Sequence, residues 1–525
     1  MKKLGLGYQE LSTLRRDNCV YVDKTKTINK LISTGKYYFL SRPRRFGKSL
    51  LVNTMKELFN GNKELFEGTW IYNKWNFEEK FPVIKISFAN LPYNSLDLKE
   101  AIEKELNSIA KDNNVIFDSS EIFSEKFREL IIKLSKEKPV AILIDEYDKP
   151  IIDYITNLET AEKNREILKQ FYSVIKDLDN HIKLLFITGV SKFSRVSFFS
   201  ELNNLTDITI DENYAEIAGY TEKEIIDNYG DYLKTIEEKY GINRKRLIEV
   251  VKLWYNGYSW DIKSSIYNPY SVLSLLWYRE FKNFWFKTGT ATFLIKLIKE
   301  KGINVRDYDD LINVPESALD SYNLENINMS VLLFQTGYLT IKEKMMDPNN
   351  FSISYKIGYP NMEVKQSFYL LLGAEFAGIE SGYYSQKIQD LVSSLEKNDI
   401  RAFILTLRSI FADIPNNLGT GKYESYYHTI IYLALKFMGI NIDVEQKTNN
   451  GVIDAVVKVG DFIYVMEFKM NSAKSAIEQI KSKKYYEPYL NDKKKVVCMG
   501  IAFNEKDRNV KDHEVVSLEE ILKEE

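Results

Sequence analysis

The sequence predicts an α/β protein: a helix-covered parallel sheet at the N-terminal end, a mainly helical middle region and a smaller α/β region at the C-terminal end. Three observations carry this expectation. Through residue 215, short β-rich runs alternate with helical stretches, the pattern of a parallel sheet covered by helices. From residue 216 the pattern changes to long helical periodicity, and beyond residue 381 strands return. The expected domains are therefore 1–215, 216–380 and 381–525.

The first strand, "YYFL" (37–40), runs into Ser41-Arg42-Pro43-Arg44-Arg45-Phe46-Gly47-Lys48-Ser49-Leu50, and "SLLVNTMKELF" (49–59) leaves it as an amphipathic helix. A hydrophobic strand leading into Gly-Lys-Ser at a helix start is the setting of a phosphate-binding loop. It aims backbone amides and the helix N-terminus at an anion, with Lys48 near the β- and γ-phosphates of ATP and Ser49 on Mg2+. Arg42 stands where G-x-x-x-x-G-K-[ST] has its first glycine, a departure that a negative φ tolerates. Pro43 stiffens the turn, and Arg44 and Arg45 add positive charge where phosphates would sit. The candidate ATP-binding segment is Arg42, Pro43, Arg44, Arg45, Phe46, Gly47, Lys48, Ser49 and Leu50.

Further strands are expected at "PVIKISFA" (82–89), "PVAILID" (139–145) and "KLLFITG" (183–189). The second of these delivers Asp145 and Glu146 at its carboxyl end. An ATPase needs two such acids, Asp145 for the magnesium shell and Glu146 to orient and deprotonate the attacking water. The third ends in Thr188-Gly189-Val190-Ser191-Lys192, polar residues where ATPases with an added strand place a phosphate sensor. Ser191 and Arg195 are candidates for phosphate contact, with a surface position as the alternative for Arg195.

In the middle region, Thr221 and Glu224 form a predicted capping box ahead of a long helix. The aromatic-rich segments "LWYNGYSW" (253–260), "YNPYSVLSLLWY" (267–278) and "NFWFKTGTATFLI" (283–295) read as packing aromatics at turns and helix faces.

At the C-terminal end, "VIDAVVKV" and "FIYVMEFKM" flank Gly460-Asp461, a pair suited to a two-residue hairpin turn. That turn places Asp454 opposite Glu467. Two acids so opposed have Cβ atoms about 5 Å apart and their carboxylates repel, unless a divalent cation sits between them. Lys469 projects on the same face as Glu467. Upstream, Glu424 ends the apolar stripe of a helix over "YESYYHTIIYLALKFMG"; downstream, Gln479 and Lys483 share a helix face. Lysines at 469, 474, 481, 483, 484, 493 and 495 offer a phosphate-backbone footprint, with a solvated charged face as the alternative for each.

Composition narrows the classes. The chain has 525 residues, 44% hydrophobic and 28% charged, which excludes a disordered type. A net charge of -2 gives no global basic signature, so nucleic-acid contact would come from a local patch. Two distant cysteines, Cys19 and Cys498, provide neither a metal motif nor a disulfide framework. With no targeting segment or membrane span in view, the expected location is cytoplasmic.

Together the motifs resemble a bacterial and archaeal family that couples an AAA-ATPase-like domain to a C-terminal nuclease-like domain of the PD-(D/E)XK superfamily. The resemblance rests on "YVDKT", "FLSRPRRFGKSLL", "ILIDEYDKPI" and "FITGVSKFSRVSFFSELNNLTDIT", on "WYNGY", "YNPYSVL", "FWFKTGT", "LLFQTGYL" and "YPNMEVKQSF", and on "GVIDAVV", "MEFKM" and "EQIKSKKYYEPY". It implies that Arg42 is a family form of the loop. It also implies that Asp454, Glu467 and Lys469 are the superfamily's catalytic motif, with Asp454 and Glu467 as metal ligands and with Glu424 and Gln479 resembling its helical glutamate and glutamine. The implied function is an ATP-regulated, Mg2+-dependent nuclease acting on nucleic acid, DNA before RNA, with a genome-defence role and a homo-oligomer as further expectations. The alternative is an ATP-driven switch or assembly ATPase whose C-terminal domain binds nucleic acid or protein without cutting.

Overall fold

The computed structural model describes residues 1–118, 122–192, 204–285, 294, 297–298, 311–319, 328–412, 430, 432–434, 436, 441–448, 451–470, 472–504 and 509–524. The chain divides into two compact units, Met1–Val364 and Lys365–Glu525.

The first unit is built on five parallel strands, β1 (Tyr37–Ser41), β2 (Val83–Ser87), β3 (Val140–Asp145), β4 (Ile182–Gly189) and β5 (Thr206–Asp207), in the order β2-β3-β4-β1-β5. Every residue of β1 and β3 is buried, which is why those runs are continuously apolar rather than alternating. β4 lies between the strand that enters the Arg42–Leu50 loop and the strand that ends in the acids, pairing Leu40 with Thr188 and Ile144 with Ile187. Leu40, Leu143 and Phe186 pack with Met55 and Leu58 of the helix Lys48–Phe59. That packing fixes the helix start against the carboxyl ends of the strands.

The middle region is helical, as expected, and the helix Glu222–Tyr240 opens with the capping box of Thr221 and Glu224. It also carries an unanticipated antiparallel sheet of β6 (Ile312–Pro315), β7 (Thr340–Met346) and β8 (Ile353–Gly358). β7, "TIKEKMM", is largely solvent-facing, so it lacks the alternation that marks a half-buried strand.

The second unit holds β9 (Asn441–Thr448), β10 (Gly451–Val459), β11 (Phe462–Met470), β12 (Lys495–Asn504) and β13 (Asn509–Ser517), ordered β13-β12-β11-β10-β9. Only the β11–β12 pair is parallel, and the helix Ala473–Ser482 lies between them in sequence. One face of the sheet packs Val457, Tyr464 and Met466 against the helices Ser381–Glu396 and Ile400–Ala412. The other packs Val456, Ile463 and Val465 against Ile477 and Ile480. Among the described residues no helix is long and apolar enough to cross a membrane, and both cysteines are free and buried.

Candidate active sites of the two units

In the first unit, β1 ends at Ser41 and the loop turns twice through left-handed backbone, at Arg45 (φ 68°) and Gly47 (φ 87°), before the helix begins at Lys48. A Cβ costs energy in that region, so Gly47 is the glycine the turn requires, and Arg45 is held there by its surroundings. Arg44–Leu50, Glu146, Tyr21, Lys24 and Tyr270 are among the residues lining a cavity of about 380 Å³. Lys48 is buried, and its Nζ donates to the carbonyls of Arg42 (2.8 Å) and Pro43 (3.0 Å). Burial lowers its pKa, opposed by Glu146 and Asp145. An anion in the cavity would favour the charged form of the same lysine.

The structure corrects the role expected of the loop's first residues. Arg42 is fully buried and does not line the cavity; its guanidinium donates to the carbonyls of Ser41 (2.9 Å), Thr209 (2.8 Å) and Tyr214 (3.3 Å) and lies 4.0 Å from the Trp260 ring centroid. Its side chain is therefore a clamp and not a phosphate ligand. Pro43 also turns away, against Gly337, where a Cβ would come within 2.5 Å of it. Phe46 is buried edge-on to Tyr258 (4.8 Å) and Trp260 (5.4 Å), while Arg45 lies 5.0 Å from the Tyr270 ring centroid. Among the described residues, Tyr258, Trp260, Tyr270 and Trp285 of the aromatic segments are packing residues, as expected, and part of what they pack is the Ser41–Leu50 loop, while 286–293 and 295 of the third segment lie outside the described residues.

Asp145 is buried at the end of β3 and accepts from Thr188 Oγ1 at 2.7 Å. Glu146 follows with φ 52°, which turns it out of the strand direction toward the cavity. Burial raises its pKa, opposed by Lys48 and reinforced by Asp145 and Asp148. Sequence reasoning missed Asp148, although it stands in the same "DEYD" run. Its Oδ2 accepts from Val190 N (3.0 Å), Ser191 N (2.7 Å) and Ser191 Oγ (2.8 Å). Ser191 is fully buried and its hydroxyl is committed to that carboxylate, so it supports the loop after β4 rather than facing the cavity. Arg195 lies outside the described residues.

In the second unit the hairpin forms with the expected register, Val459 opposite Phe462 and Ala455 opposite Met466. The paired ladder stops there. At the next position Asp454 accepts from Phe468 N through Oδ2 at 2.8 Å, and its own N–H points at Glu467 Oε2, 3.5 Å away. Glu467 and Lys469 alternate with Met466 and Phe468, which enter the opposite core, so they face the helix Ala473–Ser482. From that helix the Gln479 amide donates to Glu467 Oε1 and reaches Tyr485 Oη at 3.5 Å. Lys469 Nζ stands 3.5 Å from the same Oε1. Burial and the neighbouring Asp454 push the Glu467 carboxyl up to about 7, against Lys469. Lys483, by contrast, is exposed, and Glu424 lies outside the described residues.

Among the described residues no three of His, Cys, Asp or Glu gather in one place. Magnesium is commonly held by one or two carboxylates plus waters and substrate phosphates, so Asp454 and Glu467 suffice as a protein donor set. A buried carboxylate beside a second one also has a chemical need for a cation. The fit is therefore good.

Residues 5–199 match the family model described as "Predicted AAA-ATPase", and residues 422–513 match the PD-(D/E)XK nuclease superfamily. A protein of Azotobacter chroococcum mcd 1, described as an uncharacterized protein in the vnfD 5' region, is 35% identical over 527 residues, covering 98% of this chain and 99% of its own. No solved structure matches. With likeness to that relative running end to end and both modules matched in order, the chain belongs to the family that joins an AAA-ATPase-like domain to a PD-(D/E)XK nuclease superfamily domain.

Proposed function

We propose that the protein is an ATP-binding and ATP-hydrolysing, Mg2+-dependent nuclease that cuts DNA under nucleotide control. The observation that carries the reading is the convergence of Asp454, Lys469 and Gln479 on Glu467. Such convergence places a buried acid, a second acid and a cation around one point, which a purely structural hairpin would avoid.

Asp454 and Glu467 would hold the metal, which would supply a lowered pKa for a bound water and charge neutralisation at the scissile phosphate. Gln479 fixes the orientation of Glu467. Lys469 keeps a cation beside the reacting centre, where it orients the attacking water and stabilises negative charge as it develops. In the first unit Lys48 and the backbone amides after Arg44 bind the ATP phosphates. Ser49 and Asp145 would supply the magnesium ligands, and Glu146 would take a proton from the hydrolytic water.

The test is cleavage of double- and single-stranded DNA by the full chain with Mg2+, with and without ATP, beside Glu467→Ala and Lys48→Ala. Cleavage lost in Glu467→Ala, with its ATP response lost in Lys48→Ala, is the expected result. Equal cleavage by the wild type and Glu467→Ala, or none by either while ATP is still hydrolysed, would replace the nuclease with a nucleotide switch.

A further inference from the structure

Two carbonyls of the phosphate loop accept hydrogen bonds from the middle region. The Trp285 indole Nε1 donates to Arg44 O at 3.0 Å, and the Gly219 backbone N–H donates to Phe46 O at 3.0 Å. In a trans peptide the C=O and the following N–H point in opposite directions. The chain has no cis peptide among its described residues. Fixing Arg44 O on Trp285, which does not line the cavity, therefore turns the N–H of Arg45 the other way, to the side of the loop that does, and fixing Phe46 O sets the orientation of the Gly47 N–H.

These are also the two residues with left-handed backbone, one of which is not glycine. Such a conformation persists only where the surroundings over-determine it. Trp285 is itself anchored: it is 1% exposed, and its backbone N–H donates to Glu363 Oε1 at 2.6 Å. Glu363 is 1% exposed and takes a further bond from Ser271 Oγ at 2.7 Å. A carboxylate removed from water at this cost, with both oxygens used on one tryptophan backbone and one serine, fixes a specific position and not merely a fold.

We propose that Trp285, held by Glu363, is a positioning residue for nucleotide phosphates: it orients the Arg44–Arg45 peptide so that its N–H faces the anion. Neither residue touches the nucleotide. The inference rests on the reading that this loop holds a nucleotide, and its effect is confined to ligands that carry phosphate.

The experiment measures binding of ADP and of adenosine to the full chain by calorimetric titration. Trp285→Phe removes the indole N–H and keeps an aromatic ring. One lost hydrogen bond to a buried carbonyl predicts a roughly 5- to 10-fold weaker ADP affinity. Adenosine affinity should be unchanged, because adenosine does not reach the loop. A second pair of variants covers the case in which Trp285→Phe does not fold: Glu363→Gln keeps an acceptor for the Trp285 N–H and should bind ADP like the wild type, whereas Glu363→Leu should lose ADP affinity selectively. Unchanged ADP affinity in Trp285→Phe, equal losses for ADP and adenosine, or Glu363→Leu behaving as Glu363→Gln would each overturn the proposal. Wild-type protein that binds no ADP, or Lys48→Ala that binds it as tightly, would instead sink the nucleotide reading, and the inference with it.

Discussion

Restoring the glycine that the phosphate-loop pattern asks for should damage this protein. Arg42→Gly removes three hydrogen bonds from a charged, fully buried donor to the carbonyls of Ser41, Thr209 and Tyr214, and a guanidinium 4.0 Å from the Trp260 ring centroid. Charge-assisted bonds contribute roughly 1.5–3 kcal/mol each, and a desolvated cation–π contact about 2 kcal/mol. Against these stands the cost of burying the cation, offset only in part by Asp207, which is itself paired with Lys192. Leaving three carbonyls without their donor and a void in place of the side chain then gives a net loss of about 3–5 kcal/mol. At about 2 °C per kcal/mol for a unit of this size, the first-unit transition should fall by roughly 6–10 °C. Two units need not melt together, so scanning calorimetry of the full chain is the assay, with the first unit identified as the transition that ADP raises. Arg42→Lys should recover little, because an ammonium cannot reproduce the planar fork. A glycine variant that melts like the wild type and binds ADP more tightly would refute the clamp and return Arg42 to a degraded glycine position.

Two further outcomes follow from buried acids. Glu467, pushed up to about 7, must lose a proton to hold a cation, so Mn2+ affinity of the full chain should fall about tenfold per pH unit below that value and level off above it; a profile flat from pH 5.5 to 8.5 contradicts the assignment. The same raised pKa means the fold binds this proton more tightly than the unfolded chain, so without metal its contribution declines as pH rises from the ordinary glutamate value toward 7. Asp148→Ala removes the one oxygen that accepts from Val190 N, Ser191 N and Ser191 Oγ and leaves those buried donors unpaired, which should destabilise the first unit by about 2–3 kcal/mol in thermal melts; no change in melting would remove Asp148 as the organiser of that loop.

The fold was legible where a single physical signal was strong. A fully buried parallel strand shows as an unbroken apolar run, and "VAILID" and "YYFL" were read at almost their observed limits. The hairpin register followed from the Gly460-Asp461 turn, because the turn fixes which residues face each other. The departure at Asp454 was not legible: leaving the ladder one residue past Ala455 depends on a bond from Phe468 N to the Asp454 side chain, a tertiary choice with no local pattern. β7 was missed because solvent covers most of it. The clamp of Arg42 on Thr209 and Tyr214 and the grip of Trp285 on Arg44 were invisible for another reason: they join residues 167 to 241 positions apart, and sequence periodicity carries no information at that range.

What unites the two sites is that each is assembled at a cost the fold alone does not recover. Burial disfavours the charge on Lys48, on Glu146 and on Glu467, and in each case a neighbouring charge offsets only part of the penalty. An isolated domain selected for stability alone would replace such groups with apolar residues of similar volume. Their placement makes sense when a ligand supplies the missing counter-charge, phosphates for Lys48 and a divalent cation for Glu467. Ligand binding then stabilises each unit in proportion to how far the empty site was held from its preferred charge state. The same reasoning explains why the clamps are elaborate while the contacting residues are few: an anion or a cation bound by so few groups is held well only if those groups do not have to reorganise when it arrives.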